Sequence, residues 1–202
     1  MKKVLIYCLL LLLILALFPA FAILITDNNY DKINEKNKIN TENKTDSQSD
    51  YSKDIVKLAL DFLEEDFCDE SIKAILAIAE NNFYYNKENN IKTNYSLKQT
   101  EQNVDLEKKA EELYKKSDIE LSLNKEKVYI PAVSLSAGST KPHMDYPYIK
   151  SVASPWDCFS EEFVYGKEYS SGISLNGIDY LCKNGMSCKE ALKWYLPDFE
   201  IK

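Results

Sequence analysis

His143, the only histidine, and five cysteines are the side chains of this 202-residue chain best suited to nucleophilic or metal chemistry. Cys8 lies in an apolar run near the N-terminus; Cys68, Cys158, Cys182 and Cys188 lie beyond it. Four cysteines can form two disulfides in any of three connectivities, and Cys182 and Cys188 flank the turn dipeptide Asn184-Gly185, so a local pair is geometrically conceivable. The spacing of these thiols and His143 matches no CxxC or HxxxH pattern, so neither a metal nor another cofactor is expected. A serine nucleophile is not expected either, because His143 follows Pro142 in a loop with no catalytic spacing to a base-activated hydroxyl. Hydroxyl and backbone groups are concentrated elsewhere. Ser136, Gly138, Ser139 and Thr140 form one short segment and Gly172 with Ser174 another. Tyr148 and Trp156 offer stacking surfaces, or else pack in the core, as Pro155 and Phe159 beside Trp156 suggest.

The elements that must position these residues are legible as periodicities. From Lys53 to Phe67, apolar residues recur at helical spacing, with Ser52 or Asp54 available as cap. The acidic run Glu64, Glu65 and Asp66 then falls at the solvated end of that helix. A second helix is predicted from Glu70, with Ile72, Ile75, Leu76, Ala79 and Phe83 on one stripe. A shorter third helix carries Leu106, Ala110, Leu113 and Tyr114. The period then changes: Ile119, Leu121 and Leu123 alternate, a loop follows at residues 124–127, and Val128, Ile130 and Val133 resume, the pattern of a β-hairpin. Further strands are predicted at Tyr148–Ala153 and Glu162–Tyr165. The chain closes on two helices, one from Ser174 to Lys183 ending at Gly185, the other opened by a Ser187/Glu190 capping box and stopped by Pro197. The predicted fold is α+β, with helices at both ends around an antiparallel sheet.

Compartment and composition narrow the function further. Lys2 and Lys3 precede an uncharged run from Val4 to Ile25, about 22 residues and long enough to span a hydrocarbon core. The lysines before it and Asp27 after it orient the rest of the chain outside the cytoplasm. Ala20-Phe21-Ala22 fits a signal peptidase site, so residues 1–26 are read as an anchor or as a signal cleaved near Ala22 with secretion of the remainder. Residues 27–52 are polar and carry too few large apolar side chains to offset their ordering entropy, which predicts a flexible tether. Residues 53–202 suffice for one domain. All 25 basic residues are lysines against 32 acidic ones, for a net charge of −7, a balance that argues against nucleic-acid binding.

Three patterns follow one another in the last third: Ile130–Thr140, Tyr148–Asp157 with its Ser154-Pro155-Trp156-Asp157, and Asn184–Ile201. Their order resembles the end of the stage II sporulation protein D / amidase enhancer family. Upstream, Glu70, Lys73, Ala74 and Ala79 match that family's Glu-Ala-Leu-Lys helix, whereas its Arg-Thr-Tyr ending is replaced by Glu80, Asn81 and Asn82. The family's Ser-Gly-Gly-x-Thr is similar to Ser136–Thr140. Its Gly-His-Gly-Val-Gly-Met-Ser-Gln loop falls on Glu168–Ile178, keeping Gly172, Ser174 and Gly177, with Tyr169 at the histidine position and Leu175 at the glutamine position.

The resemblance implies a membrane-anchored, extracytoplasmic domain that binds or acts on peptidoglycan glycan strands during sporulation or wall remodelling. Members of the family cleave those strands as lytic transglycosylases with one glutamic acid, which protonates the glycosidic oxygen and then assists attack by a sugar hydroxyl. The corresponding acid would be Glu64 or Glu65, although the family's Glu-Met-Pro context is missing. Ser136, Gly138, Ser139, Thr140, Gly172 and Ser174 would contact the saccharide. The substituted positions also admit a non-catalytic relative, a scaffold or enhancer partnered with a wall amidase.

Overall fold

The structure, a computed structural model, describes residues 51–92 and 102–202. The apolar run and nearly all of the polar tether lie outside the described residues. Helix α1, Ser52–Leu60, buries Ile55, Val56 and Ala59. It stops seven residues short of the predicted end. Continuing it would place Glu64, Glu65 and Asp66 against the negative end of the helix dipole. The chain turns instead, with the N–H groups of Phe62 and Leu63 both donating to the Ala59 carbonyl at 2.9 and 3.1 Å. Leu63 and Phe67 still reach the core, and the acids sit in a connecting turn rather than on a helix. Tyr51 occupies the N-cap without a side-chain cap, so neither Ser52 nor Asp54 takes the predicted role.

Helix α2, Asp69–Glu88, is the centre of the molecule. Ile72, Ile75, Leu76, Ala79 and Phe83 pack with α1 and with Leu106, Ala110 and Leu113 of α3, Gln102–Lys116. Its other face, through Ala74, Ala77 and Ile78, packs with Ile178, Leu181, Leu192 and Tyr195. These last residues belong to α4, Leu175–Lys183, and α5, Cys188–Tyr195. Both behave locally as their sequence dictates. Ser174 caps α4 by accepting the Gly177 N–H, and Ser187 and Glu190 form the predicted capping box of α5. Gly185, at φ 96°, ends α4 with N–H donation to Cys182 while Met186 donates to Leu181, the paired bonds of a Schellman motif.

The mixed helix-and-sheet class is as predicted and a small antiparallel pair is present, but the strands are not those predicted. Strand β1, Leu121–Ser122, leads into a minimal hairpin of one bridge and not into a ladder with residues 128–133. Asn124 and Lys125, both with positive φ, make a tight turn closed by a Leu123–Glu126 bridge, and β1 pairs antiparallel with β4, Glu200–Ile201. Strand β2, Ala132–Val133, pairs parallel with β3, Ile173–Ser174. The predicted strands at 148–153 and 162–165 are absent as regular elements; the first contributes only a Ser139–Ala153 bridge, and Pro155–Phe159 forms a 3₁₀ turn. Asn81 and Asn82 of α2 take over the satisfaction of the irregular backbone. Asn82 both donates to the Ile130 carbonyl and accepts its N–H, at 2.9 and 2.7 Å.

No disulfide joins the cysteines among the described residues. Cys182 and Cys188 are buried in the C-terminal cluster with Cys68 packed against it, while Cys158 is exposed elsewhere. Among the described residues no helix is long and apolar enough to cross a membrane.

Candidate functional site

The turn after α1, the strand β2 with the residues that follow it, and the loop before β3 enclose a cleft of about 580 Å³. Leu63, Leu135 and Leu175 are among its apolar lining, and its charged and hydroxyl groups include the four carboxylates Asp61, Glu64, Glu162 and Glu168 with Lys167, Ser134 and Ser170. Glu64 is half-buried there. Burial raises its pKa above the ordinary carboxylate value, and the negative charges of Glu162, Asp66 and Asp179 act in the same direction; Lys183 opposes them. A carboxyl raised by burial and by a second carboxylate in one cleft is suited to donate a proton. Glu65, by contrast, is exposed and does not line the cleft. Glu80 is raised by burial too, but it faces Tyr114, Lys127 and Glu120.

The loop wall is fixed by two close contacts. Gly172, at φ 146°, lies so near β2 that an added Cβ would stand 2.9 Å from the Pro131 carbonyl oxygen. Tyr169 is buried, stacks on Phe163 at 5.7 Å and accepts the Val164 N–H at 2.8 Å, so its hydroxyl is engaged within the loop.

The hydroxyls predicted to contact saccharide are mostly committed elsewhere. Ser136 is buried and donates both its N–H and its hydroxyl to Asp157 Oδ2, at 2.8 and 2.6 Å. Ser174, also buried, donates to Asp157 Oδ1 at 2.9 Å. Thr140 accepts the Val152 N–H and donates to the Lys150 carbonyl. These three are fasteners of the scaffold: burial removes them from any groove, and their donors and acceptors are used. Gly138, at φ 82°, is required by the turn and sits against Cys158, and Ser139 is exposed without lining the cleft. Gly172 acts on the cleft through its loop.

Trp156 is likewise held from inside. Its indole N–H donates to the Tyr195 hydroxyl at 3.0 Å, and that hydroxyl also meets Ser154 Oγ at 2.6 Å. Tyr148 donates to the Tyr129 carbonyl at 2.7 Å.

Burial pushes Cys182 up to about 12 and Cys188 up to about 11, which leaves both as neutral thiols at physiological pH. Among the described residues no group of three or more His, Cys, Asp or Glu side chains is arranged to hold a metal ion. The cleft residues that sequence reasoning missed are Glu162, Ser134, Lys167 and Ser170. Ser134 and Ser170 lie inside two of the segments that carry the resemblance, the one signal that could have found them; Glu162 was read as part of a strand and had no signal. Comparison with protein-family models finds no match for the chain, and comparison with curated proteins finds none either.

Proposed function

We propose that this protein binds peptidoglycan glycan strands in the Glu64 cleft and cleaves them there, as a membrane-anchored, extracytoplasmic wall-remodelling protein. The observation that carries the proposal is the half-buried Glu64, held in one cleft with Glu162 and raised above the ordinary carboxylate range. The protonated Glu64 carboxyl gives its proton to the glycosidic oxygen as the C1–O bond breaks, releasing a sugar hydroxyl. The resulting carboxylate takes the proton from the 6-hydroxyl of the remaining terminal sugar as that oxygen bonds to C1. An anhydro end forms, no water is consumed and Glu64 is reprotonated.

One specific observation favours a second reading, a strand-binding enhancer of a wall amidase without cleavage. No imidazole lines the cleft among the described residues: the family's histidine position holds Tyr169, bonded to its own loop, and the glutamine position holds apolar Leu175. The two readings separate when the full-length protein is incubated with stem-peptide-free strands and anhydro ends are counted. Cleavage is expected, falling as pH rises through the Glu64 pKa because the acid must be protonated. Glu64→Gln lowers it by about 10²-fold or more, and Glu65→Gln leaves it unchanged. A wild type that binds strands and yields no anhydro ends establishes the enhancer reading; one that binds none overturns both.

A further inference from the structure

A second cleft, of about 400 Å³, adjoins the first; Asp61 and Phe62 line both. Its distinguishing feature is a row of tyrosines. Tyr85 of α2 lies 6.0 Å from Tyr129, and Tyr129 lies 5.2 Å from Tyr146, with the planes inclined at 51° and 40°. All three are half-buried, and all three line the cleft. Among the described residues no side chain or backbone group hydrogen-bonds their hydroxyls, whereas the neighbouring Tyr148 spends its own on the Tyr129 carbonyl. A packing role alone would be met by phenylalanine or leucine. Ring faces and unspent hydroxyls on one concave surface instead suit a ligand with an apolar face and an equatorial rim of polar groups.

The row is held rigidly. Asn81 donates to the Val128 carbonyl, and Asn82 exchanges two bonds with Ile130, so the backbone on either side of Tyr129 is tied to α2. Tyr146 is flanked by His143 at 4.7 Å and Tyr148 at 6.0 Å. Rings fixed before binding lose little entropy on contact with a ligand. The volume lies in the range of roughly 300–1,000 Å³ typical of small-molecule sites. Aliphatic lining is limited to Leu58 and Ile91, too little for the continuous apolar strip that an amphipathic helix requires.

We infer that the tyrosine cleft is a second saccharide subsite, which takes the sugar rings next to those at Glu64 along the same glycan strand. The inference rests on the proposed function for its ligand and on the shared Asp61–Phe62 wall for its position. Tyr85, Tyr129 and Tyr146 are binding residues. They set affinity for long strands and give the molecule a preference for strand length.

The test measures binding of a stem-peptide-free disaccharide and an octasaccharide to the full-length protein in detergent by calorimetry. The wild type is expected to bind the octasaccharide more tightly than the disaccharide. Tyr146→Ala weakens octasaccharide binding about tenfold, the scale of one lost aromatic contact, and changes disaccharide binding less than about twofold. Tyr146→Phe, which keeps the ring, stays within about threefold. Tyr85→Ala, on a helix face, gives a second reading should Tyr146→Ala lose its circular dichroism signal. Folded Tyr146→Ala and Tyr85→Ala proteins that bind the octasaccharide like wild type overturn the subsite while leaving strand binding at Glu64 intact. A wild type that binds neither sugar removes the proposed function together with the subsite.

Discussion

Asp157 is buried and accepts three hydrogen bonds, two from Ser136 and one from Ser174. It thereby joins three segments distant in sequence: the turn at 136–140, the 3₁₀ turn at 155–159 and the start of α4. A charged acceptor with well-placed donors is worth more than a neutral one. Asp157→Asn keeps the shape but offers only one carbonyl oxygen and turns an amide toward a donor. We expect it to cost about 2–3 kcal/mol in urea unfolding, with Ser136→Ala costing less because the Ser136 N–H bond survives. Gly177 is a second site where one atom decides. A Cβ there would collide with the Tyr195 hydroxyl and stand 2.7 Å from Ser154 Oγ, so glycine makes room for the polar contact that holds Trp156.

At the scale of elements, the N-termini of α2 and α5 are tied by one carboxylate. Glu70 pairs with Lys73 at 2.6 Å and accepts the Cys188 N–H at 2.9 Å, in the first turn of α5. The Lys73 hydrogen bond, then the Cys188 N–H, holds its pKa down at about 2 against an ordinary 4.5. Because the folded value is depressed, the stabilisation is complete above 4.5 and fades as pH falls toward 2. Solvent reaches this carboxylate, so after screening its contribution is about 1 kcal/mol. Glu70→Gln is expected to lower the urea midpoint at neutral pH and to converge with wild type as the pH descends through that window; a gap independent of pH would refute the assignment.

Glu70 and Lys73 also show what the sequence carried and what it did not. They were matched as part of a family helix, and their work here is to fasten two helices. Helical periods, the Ser187 box and the Gly185 stop were legible because each is encoded within a few neighbouring residues. Strand pairing was not legible. Each strand is two residues long and its partner lies far along the chain, so no local alternation specifies it. The site was legible to the same degree. Glu64 could be named by resemblance, but the hydroxyls of Ser136, Thr140 and Ser174 could not be assigned to groove or scaffold until Asp157 and Val152 were seen to engage them. Glu162 reaches the cleft only through the fold of an irregular loop.

For the molecule as a whole, α2 is shared by two apolar clusters, one with α1 and α3, the other with α4, α5 and the C-terminal residues. A helix buried on both sides transmits loss from either cluster to the other. Ile75 is buried in the first cluster, whereas Trp156 packs against the second, with Trp194, the other tryptophan of the chain, beside it. Ile75→Ala is expected to cost about 2–5 kcal/mol and to shift tryptophan fluorescence and far-ultraviolet circular dichroism by the same amount in urea. Separate midpoints would show that the clusters unfold independently.

The antiparallel closure of β1 on β4 sets the order in which this fold can be acquired. Glu120 and Lys202 exchange two backbone bonds of 3.1 Å, and Phe199 beside them is almost wholly buried. During synthesis α2 emerges long before these residues, with one apolar face still uncovered. Its second face waits for the last part of the described chain, and contacts of such long sequence separation form slowly. The cluster that covers this second face therefore cannot close until residues 119–121 and 199–202 are both available to it.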